Sequence, residues 1–290
     1  MDEDVPVMIT GVLASIPSPP VNGFYIGPIK FTFYGMLIAT GVAVAWWLIK
    51  KRFAERGGDP ALAEKIMVRM VIYGFIGARI AYVSTHLSRF QGEWWKVIAI
   101  WEGGIALFGG LTAGAIAFYI TAGRLGVNRR DFLDSVAPAL PLAQAIGRWG
   151  NYFNQELFGT PTNLPWGLEI APEFRPEAYP DAATFHPTFL YESLWNVALA
   201  GLIIWLDRRY PYLKGRLIGV YFAGYGLMRF LLELIRTDTT FRFLGLSRNG
   251  WVSIGVMLIS ILVLAWPIKD ATGDDMASAE VMGTDLEDEA

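Results

Sequence analysis

Seven stretches of this chain are apolar enough to cross a lipid bilayer, and this feature limits the fold more than any other. They lie at roughly 31–49, 64–87, 105–122, 133–150, 188–206, 217–236 and 251–267. A transmembrane helix needs ~20 mostly apolar residues to span ~30 Å of hydrocarbon. The composition agrees with this, because 53% of the residues are hydrophobic. We therefore predict an all-α integral membrane protein with about seven transmembrane helices.

Lysine and arginine are divided unevenly between the two sides that these spans define. Thirteen lie at Lys269 or in the loops at 50–65, 123–131 and 207–216, and six lie on the opposite side. Basic loops stay on the cytoplasmic side of a membrane. The distribution predicts an N-terminus outside the cell and a cytoplasmic C-terminus.

Three segments depart from the helical pattern. Residues 151–187 contain six prolines and form a predicted extracytoplasmic loop, long enough to cover a site as a lid. Pro138 and Pro141 fall within the fourth span, so we expect its backbone to be kinked or irregular. Residues 270–290 read as a disordered acidic cytoplasmic tail. Residues 1–269 are expected to form one membrane-embedded body.

Several classes of site are excluded by composition. The absence of cysteine rules out disulfides, thiolate metal sites and a thiol nucleophile, and two histidines cannot form a zinc site by themselves. We find no glycine-rich nucleotide loop and no carboxylate cluster suited to a metal, so we expect no metal and no cofactor. Removing the eight acidic residues of 270–290 changes the net charge from −3 to +5. That charge suits anionic lipid, while no concentrated basic patch indicates nucleic acid.

Five arginines lie inside the predicted spans or at their ends, where each costs several kcal/mol without water, a partner or an anion. Arg69 lies near the cytoplasmic end and can extend its head to water, so we interpret it as structural. The other four fall in the outer halves of their spans. They are Arg79, Arg148, Arg229 and Arg236. For each, pairing with a glutamate or with backbone carbonyls is the structural alternative.

Arg229, Glu233 and Arg236 share one helical face, because they are spaced at i, i+4 and i+7. One carboxylate cannot neutralise two guanidinium groups. The residual positive charge favours a phosphate, which arginine binds through two hydrogen bonds. Tyr221 and Tyr225 continue the same face, and packing is the simpler interpretation for them.

Residues 147–159 hold the densest polar segment at a membrane boundary. Arg148, Asn151, Asn154 and Glu156 supply a cation, two amides and a carboxylate, and the glycines permit close approach of a ligand. Helix capping alone would explain Asn151 or Gly159 but not the arginine or the glutamate.

Residues 101–111 contain four glycines that include Gly109, for which a ligand role and close helix packing are both open. Tyr34 near the outer end of the first span is either an interfacial anchor or part of the site. His186 lies at the outer boundary before the fifth span.

At these residues the chain resembles the bacterial prolipoprotein diacylglyceryl transferase family. The family signature Gly-Arg-x-Gly-Asn-aromatic-x-Asn-x-Glu-x-x-Gly is complete over residues 147–159. The Tyr-Gly, Trp-acidic-Gly-Gly, His-Pro-x-x-x-Tyr-Glu and Arg-x-x-x-Glu-x-x-Arg elements also occur in the family's order, and together they cover roughly residues 25–267.

The resemblance implies transfer of a diacylglyceryl group from phosphatidylglycerol to the lipobox cysteine thiol of a prolipoprotein, with a thioether formed and glycerol 1-phosphate released. It also implies a multi-pass protein of the bacterial plasma (inner) membrane with its active site toward the outer face. The family's phospholipid-binding arginine corresponds to Arg148. Its other functional positions correspond to Tyr34, Asn151, Glu156, Gly159, Arg229 and Glu233. We predict that Arg229 and Gly159 also contact the phospholipid, and we add Arg79, Arg236 and Gly109 to these predicted phospholipid contacts.

One position departs from the family pattern, because Phe108 stands where the best-known members have a histidine that is a candidate base. A thiol of pKa ~8.5 needs help to ionise at neutral pH. We expect Glu233, Glu156 or solvent through a water chain to accept the proton here, with His186 a weaker candidate.

Two other functions fit a polar membrane core. An anionic-lipid transporter or scramblase would use arginines to guide an anion across the bilayer, but such proteins often contain repeated halves, and we find no repeat. A scaffold protein would leave the clustered arginines unexplained.

Overall fold

The computed structural model describes residues 15–99, 101, 103–236 and 242–265. Eight α-helices make up most of this part of the chain. They are α1 (Phe33–Glu55), α2 (Pro60–Thr85), α3 (Leu107–Arg124), α4 (Arg129–Val136), α5 (Ala139–Asn154), α6 (Thr188–Arg209), α7 (Leu217–Glu233) and α8 (Arg248–Ala265). The predicted disordered tail at 270–290 lies outside the described residues.

Within the described residues, four helices are long and apolar enough to cross a membrane: α1, α2, α6 and α8. The chain is therefore a mostly helical membrane protein, as predicted. The other predicted spans correspond to α3, to α4 with α5, and to α7. At 1.5 Å per residue, the 16 residues of α5 extend ~24 Å, which is less than a hydrocarbon layer of ~30 Å. Seven complete crossings thus stay a prediction.

The fourth predicted span, at roughly 133–150, falls on two helices and is broken between them. The chain forms the short α4, leaves the helix at Ala137 and begins α5 after Pro138. Proline has no N–H group and its ring clashes with the preceding turn, so a helix cannot run through it undisturbed. The irregular backbone expected there is confirmed, and both Pro138 and Pro141 are buried in protein.

Three two-stranded antiparallel ribbons supplement the helices, a feature that the all-α prediction missed. They are β1 (Gly23–Ile26) with β2 (Ile29–Thr32), β3 (Leu168–Glu169) with β4 (Thr184–Phe185), and β5 (Arg242–Phe243) with β6 (Leu246–Ser247). The ribbon of β3 and β4 lies inside the predicted lid. That loop begins only after α5 ends at Asn154 and contributes Phe158, Ile170 and Phe185 to a buried apolar cluster that also includes Phe189 of α6. The loop is therefore folded and packed against the helices, whereas its role as a lid stays a prediction.

Helix α2 packs against α3 through glycines that face each other. A Cβ atom on Gly77 would lie 2.2 Å from Ala113 Cβ and 2.8 Å from Gly109 O. A Cβ atom on Gly109 would lie 2.3 Å from Ala81 Cβ. Small residues let helix backbones approach closely in a membrane, where dispersion contacts take the place of hydrophobic association.

Buried charges connect α1 to α6 at the end away from Tyr34. Arg52 and Arg56 both pair with Asp207, and Arg56 Nη2 lies 2.8 Å from Asp207 Oδ1. Arg52 lies 18 residues beyond Tyr34, or ~27 Å along the helix. These ion pairs hold the end of α6 that contains Asp207 against α1. The other end of α6 can then contribute to a site near Tyr34.

We predict that Gly77→Ala destabilises the protein by about 1–3 kcal/mol, because the added methyl overlaps Ala113 and forces α2 away from α3. Gly201→Ala in α6 is the matched control, since a Cβ there meets no atom within 4 Å. It should leave stability unchanged or raise it by up to ~1 kcal/mol through helix propensity. Thermal unfolding in detergent measures both, and equal midpoints for the two variants would contradict the packing argument.

Candidate active site

A cavity of about 320 Å³ lies between α1 and α5. Its polar lining residues are Tyr34 from α1 and Gln144, Arg148 and Asn151 from α5, and the rest of its wall is apolar or glycine. The lining residues are Tyr34, Ile38, Gly41, Val42, Ala143, Gln144, Gly147, Arg148 and Asn151. Three of the predicted site residues, Tyr34, Arg148 and Asn151, are therefore brought together by the fold.

Helical spacing and two glycines explain this convergence. Gln144, Arg148 and Asn151 are separated by four and three residues, so they share one face of α5. A Cβ atom on Gly150 would lie 2.4 Å from Tyr34 Cδ2, and one on Gly41 would lie 2.9 Å from Ala143 O. Both glycines allow α1 to lie close against the polar face of α5.

Arg148 is the centre of a polar chain that crosses from α6 to the outer loop. Its Nε atom lies 2.7 Å from Glu192 Oε2 on α6. Its Nη1 donates to Asn151 Oδ1 at 3.4 Å, and Asn151 Nδ2 donates to Glu156 Oε1 at 2.9 Å. Asn154 Nδ2 donates to the same carboxylate oxygen at 3.3 Å. The signature residues thus contact one another directly.

Glu192 is the functional neighbour that sequence reasoning missed. It is buried, and its pairing with Arg148 offsets the charge of the guanidinium while fixing its orientation. Within the described residues, the guanidinium group of Arg148 pairs with Glu192 through Nε and donates to Asn151 through Nη1, and the residue also lines the cavity. The sequence could have indicated Glu192, which is the glutamate of the His-Pro-x-x-x-Tyr-Glu element. An arginine at membrane depth requires a carboxylate nearby, and this element supplies one.

Gln144 extends the site toward α7, and sequence reasoning missed it as well. Its Nε2 donates to the Tyr221 hydroxyl at 2.9 Å, and Tyr221 stacks on Tyr225 with ring centroids 6.0 Å apart. The Oε1 atom of Gln144 is buried and has no hydrogen-bond partner among the described residues. An unpaired buried acceptor on the cavity wall suits a hydroxyl group of a ligand.

Arg229 and Glu233 form a second pair along α7, at the predicted i, i+4 spacing. Arg229 Nη2 lies 3.2 Å from Glu233 Oε2. Glu233 is buried, and its Oε1 atom has no hydrogen-bond partner in the described part of the chain. Neither residue lines the cavity that contains Arg148. The described part of the chain therefore contains an arginine–glutamate pair at Arg148 and another at Arg229, and the two have separate surroundings.

Arg79 has a different environment from the headgroup contact that we predicted. Arginine has five N–H donors, and all of its donor atoms here contact backbone carbonyls. The Nε atom donates to Val97 O at 2.7 Å and Nη1 donates to Gly103 O at 2.6 Å. The remaining acceptors are the carbonyls of Lys96, Ala99 and Gly104. These bonds favour a role in holding the loop before α3, since no donor is left for phosphate.

The three other predicted phospholipid contacts also have close protein neighbours. Gly109 is the helix-packing residue of α3 described above, which favours the packing alternative. Gly159 forms a backbone bridge with Arg236, and its N–H donates to His186 O at 3.0 Å. A Cβ atom on Gly159 would lie 2.8 Å from His186 Cβ. Gly159 thus joins the outer loop to the end of α7.

The candidate bases lie in unlike surroundings. Glu156 is exposed, and its Oε1 already accepts from two amides. Glu233 is buried, and neither of its carboxylate oxygens has a hydrogen-bond partner among the described residues. His186 Nδ1 lies 3.2 Å from the Tyr191 hydroxyl. Phe108 is 70% exposed on α3 and does not line the cavity.

Comparison with known proteins decides the family. The model of the family described as prolipoprotein diacylglyceryl transferase matches residues 22–266. The chain belongs to the prolipoprotein diacylglyceryl transferase family. The cavity residues, the complete signature and both arginine–glutamate pairs lie within the matched region.

Individual members of this family are similar over most of their length. A phosphatidylglycerol–prolipoprotein diacylglyceryl transferase 2 from Streptomyces coelicolor is 42% identical over 87% of this chain and 80% of its own. The enzyme of the same name from Frankia alni is 41% identical over 89% of this chain and 69% of its own. The enzyme from Paenarthrobacter aurescens is 40% identical over 89% of this chain and 84% of its own.

We predict that Arg148 and Glu192 are energetically coupled by about 1–3 kcal/mol in a double-mutant cycle of Arg148→Gln and Glu192→Gln. The side chains are 23% and 7% exposed, so removal of either leaves a poorly hydrated charge behind. The pair of Lys50 and Glu64, whose side chains are 35% and 47% exposed, is the better-hydrated control and should couple by at most ~1 kcal/mol. Unfolding in mixed micelles measures both cycles. Equal coupling energies in the two cycles would contradict the prediction that Arg148 and Glu192 are the more strongly coupled pair.

Proposed function

We propose that this chain transfers the diacylglyceryl group of phosphatidylglycerol to the lipobox cysteine thiol of prolipoproteins, forming a thioether and releasing glycerol 1-phosphate. The observation that carries the proposal is the complete signature at 147–159, whose Arg148 and Asn151 line a cavity between two apolar helices. The similar enzymes named above bear these two substrates in their names. The enzyme is a transferase that acts within the membrane.

The proposed setting is the bacterial plasma (inner) membrane. The basic loops at 50–65, 123–131 and 207–216 support a cytoplasmic location for that side, with seven crossings, the N-terminus outside and the acidic tail inside. Tyr34, Arg148 and Glu192 then lie toward the outer face. This is the side on which a secreted prolipoprotein presents its signal peptide.

In the proposed reaction, the thiol sulfur attacks the glycerol carbon that bears the phosphate ester. A carbon–sulfur bond forms as the carbon–oxygen bond breaks, and the departing phosphate keeps the electron pair. Arg148, oriented by Glu192, places hydrogen-bond donors where that charge develops, and donors fixed in a low-dielectric site need little reorganisation. Arg229 is the second proposed source of positive charge. We propose that Tyr34 and Gln144, which line the same cavity, contact the glycerol headgroup.

The proton of the thiol passes to a base, for which we propose Glu233 ahead of Glu156. The carboxylate oxygens of Glu233, which have no hydrogen-bond partner among the described residues, support this order, whereas Oε1 of Glu156 already accepts from two amides. Solvent through a water chain is the alternative acceptor. His186 is the weaker candidate, because its Nδ1 faces the Tyr191 hydroxyl.

The folded loop at 155–187 is the proposed cover of the outer face. Its apolar core of Phe158, Ile170 and Phe185 supports a preformed surface for the incoming signal peptide. Gly159 and Arg236 support this arrangement by joining the loop to α7.

Purified protein incubated with radiolabelled phosphatidylglycerol and a lipobox peptide tests the function directly. Label on the peptide supports the transferase. Label that only redistributes between leaflets of a vesicle would instead support the transporter or scramblase.

In this assay we predict that Arg148→Ala lowers the rate at least 10²-fold while the protein stays folded and inserted, because charge stabilisation of the leaving phosphate is lost. Arg89→Ala is the matched control, since Arg89 is an exposed arginine that does not line the cavity. It should retain the wild-type rate. Full activity of Arg148→Ala would contradict the assignment of this arginine.

We predict that Glu233→Gln lowers the rate by about 10²–10⁴, as expected for loss of a general base, and that Glu156→Gln has a smaller effect. Glu177→Gln in the exposed part of the loop serves as the control. Wild-type turnover of both Glu233→Gln and Glu156→Gln would exclude a carboxylate base and leave solvent as the acceptor.

A further inference from the structure

A second concave surface lies between α2 and α3, away from the cavity that contains Arg148. This groove has a volume of about 660 Å³ and shares no lining residue with that cavity. Nothing in the proposed reaction uses it. Its lining residues are Arg69, Tyr73, Ile76, Gly77, Ile80, Ala113, Ile116, Ala117, Ile120, Thr121, Arg124 and Leu125.

The groove is narrow at its floor and apolar along its walls. Gly77 and Ala113 form the floor, where the two helix backbones approach most closely. Ile76, Ile116 and Ile120 on its walls are each about half exposed, so they present branched apolar side chains to whatever occupies the groove. The shape and chemistry of this part fit an acyl chain.

Two arginines stand at one end of the same groove. Arg69 comes from α2 and Arg124 from the last turn of α3, and both are exposed. Within the described residues, neither makes a hydrogen bond or an ion pair with protein. Arginine matches the geometry of a phosphate and binds it through two parallel hydrogen bonds. A pair of free guanidinium groups from opposing helices therefore favours an anionic ligand at this end.

The length of the groove fits half a bilayer. Arg69 and Ile80 are eleven residues apart on α2, or ~16 Å along the helix axis. One leaflet contributes ~15 Å to a hydrocarbon core of ~30 Å. A lipid whose phosphate meets the two arginines would therefore have its acyl chain beside the isoleucines to about the midplane.

We propose that this groove is a binding site for an anionic phospholipid of the cytoplasmic leaflet. Its phosphate binds Arg69 and Arg124, and one acyl chain lies against Ile76, Ile116 and Ile120. A zwitterionic lipid carries a cationic group next to its phosphate, and that group is repelled by the two arginines. The leaflet rests on the orientation proposed above, whereas the binding itself does not depend on transferase activity.

Photochemical crosslinking tests the site on the whole protein in nanodiscs. The probe is phosphatidylserine with a diazirine in one acyl chain, chosen because it is anionic without being the proposed donor lipid. Phosphatidylcholine with the same labelled chain is the zwitterionic reference. Mass spectrometry compares the adducts at Ile76 with those at Phe75, which is also exposed and lies at nearly the same depth but outside the groove.

At each residue we take the ratio of adducts from the anionic probe to adducts from the zwitterionic probe. This ratio should be on the order of tenfold higher at Ile76 than at Phe75, since each basic residue near anionic lipid contributes to binding. Arg69→Gln with Arg124→Gln should abolish this excess. Lys65→Gln with Arg130→Gln is the matched control, because it removes two charges from the same predicted side without altering the groove, and it should preserve the excess.

Two results would overturn the proposal. Equal labelling of Ile76 by both probes would mean that the groove holds bulk lipid without selection. An equal loss of the excess in both double variants would assign it to the general surface charge and not to this site. Peptide transfer activity is measured in parallel, so that a failure of the groove and a failure of the proposed transferase reaction give different results.

Discussion

A guanidinium group at membrane depth is the constraint on which this structure depends. Hydrocarbon does not solvate the charge, so the protein must surround it with carboxylates, carbonyls or a ligand. Arg148 meets this requirement by joining three parts of the chain. Glu192 approaches from α6, and Asn151 connects it to Glu156 after the end of α5. Gly150, which faces Tyr34, and Gly41, which faces Ala143, serve the same arrangement, because they let α5 lie close against α1.

The same constraint separates arginines that hold structure from arginines that can act. Arg79 donates to five backbone carbonyls and has no donor left, so its hydrogen bonds stabilise the loop before α3. Arg148 contacts one carboxylate and one amide and lines a cavity. Arg69 and Arg124 have no protein partner among the described residues and stand beside a lipid-sized groove. The number of donors that the protein leaves unused thus ranks these side chains by their capacity to bind a phosphate.

Close helix contacts determine where the empty spaces lie. Gly77 and Gly109 bring α2 and α3 together, and the surface between their diverging isoleucines becomes the groove. Gly41 and Gly150 do the same for α1 and α5, and there the space is lined by Tyr34, Gln144 and Arg148. Glycines therefore shape both sites by letting the helix backbones approach closely. The contacts of Gly109 favour the packing alternative over the ligand role.

The class of protein, the signature at 147–159 and the family could all be predicted from the sequence, since long apolar stretches and a contiguous polar motif are local properties of a chain. The i, i+4 pair of Arg229 and Glu233 was equally accessible, because helical geometry determines which neighbours meet. Tertiary structure alone decided that Glu192 is the partner of Arg148, that Gln144 reaches Tyr221, and that the donors of Arg79 are fully used. Those contacts join residues between 17 and 77 positions apart in the sequence. They depend on how the helices pack against one another, and no local sequence pattern encodes that packing.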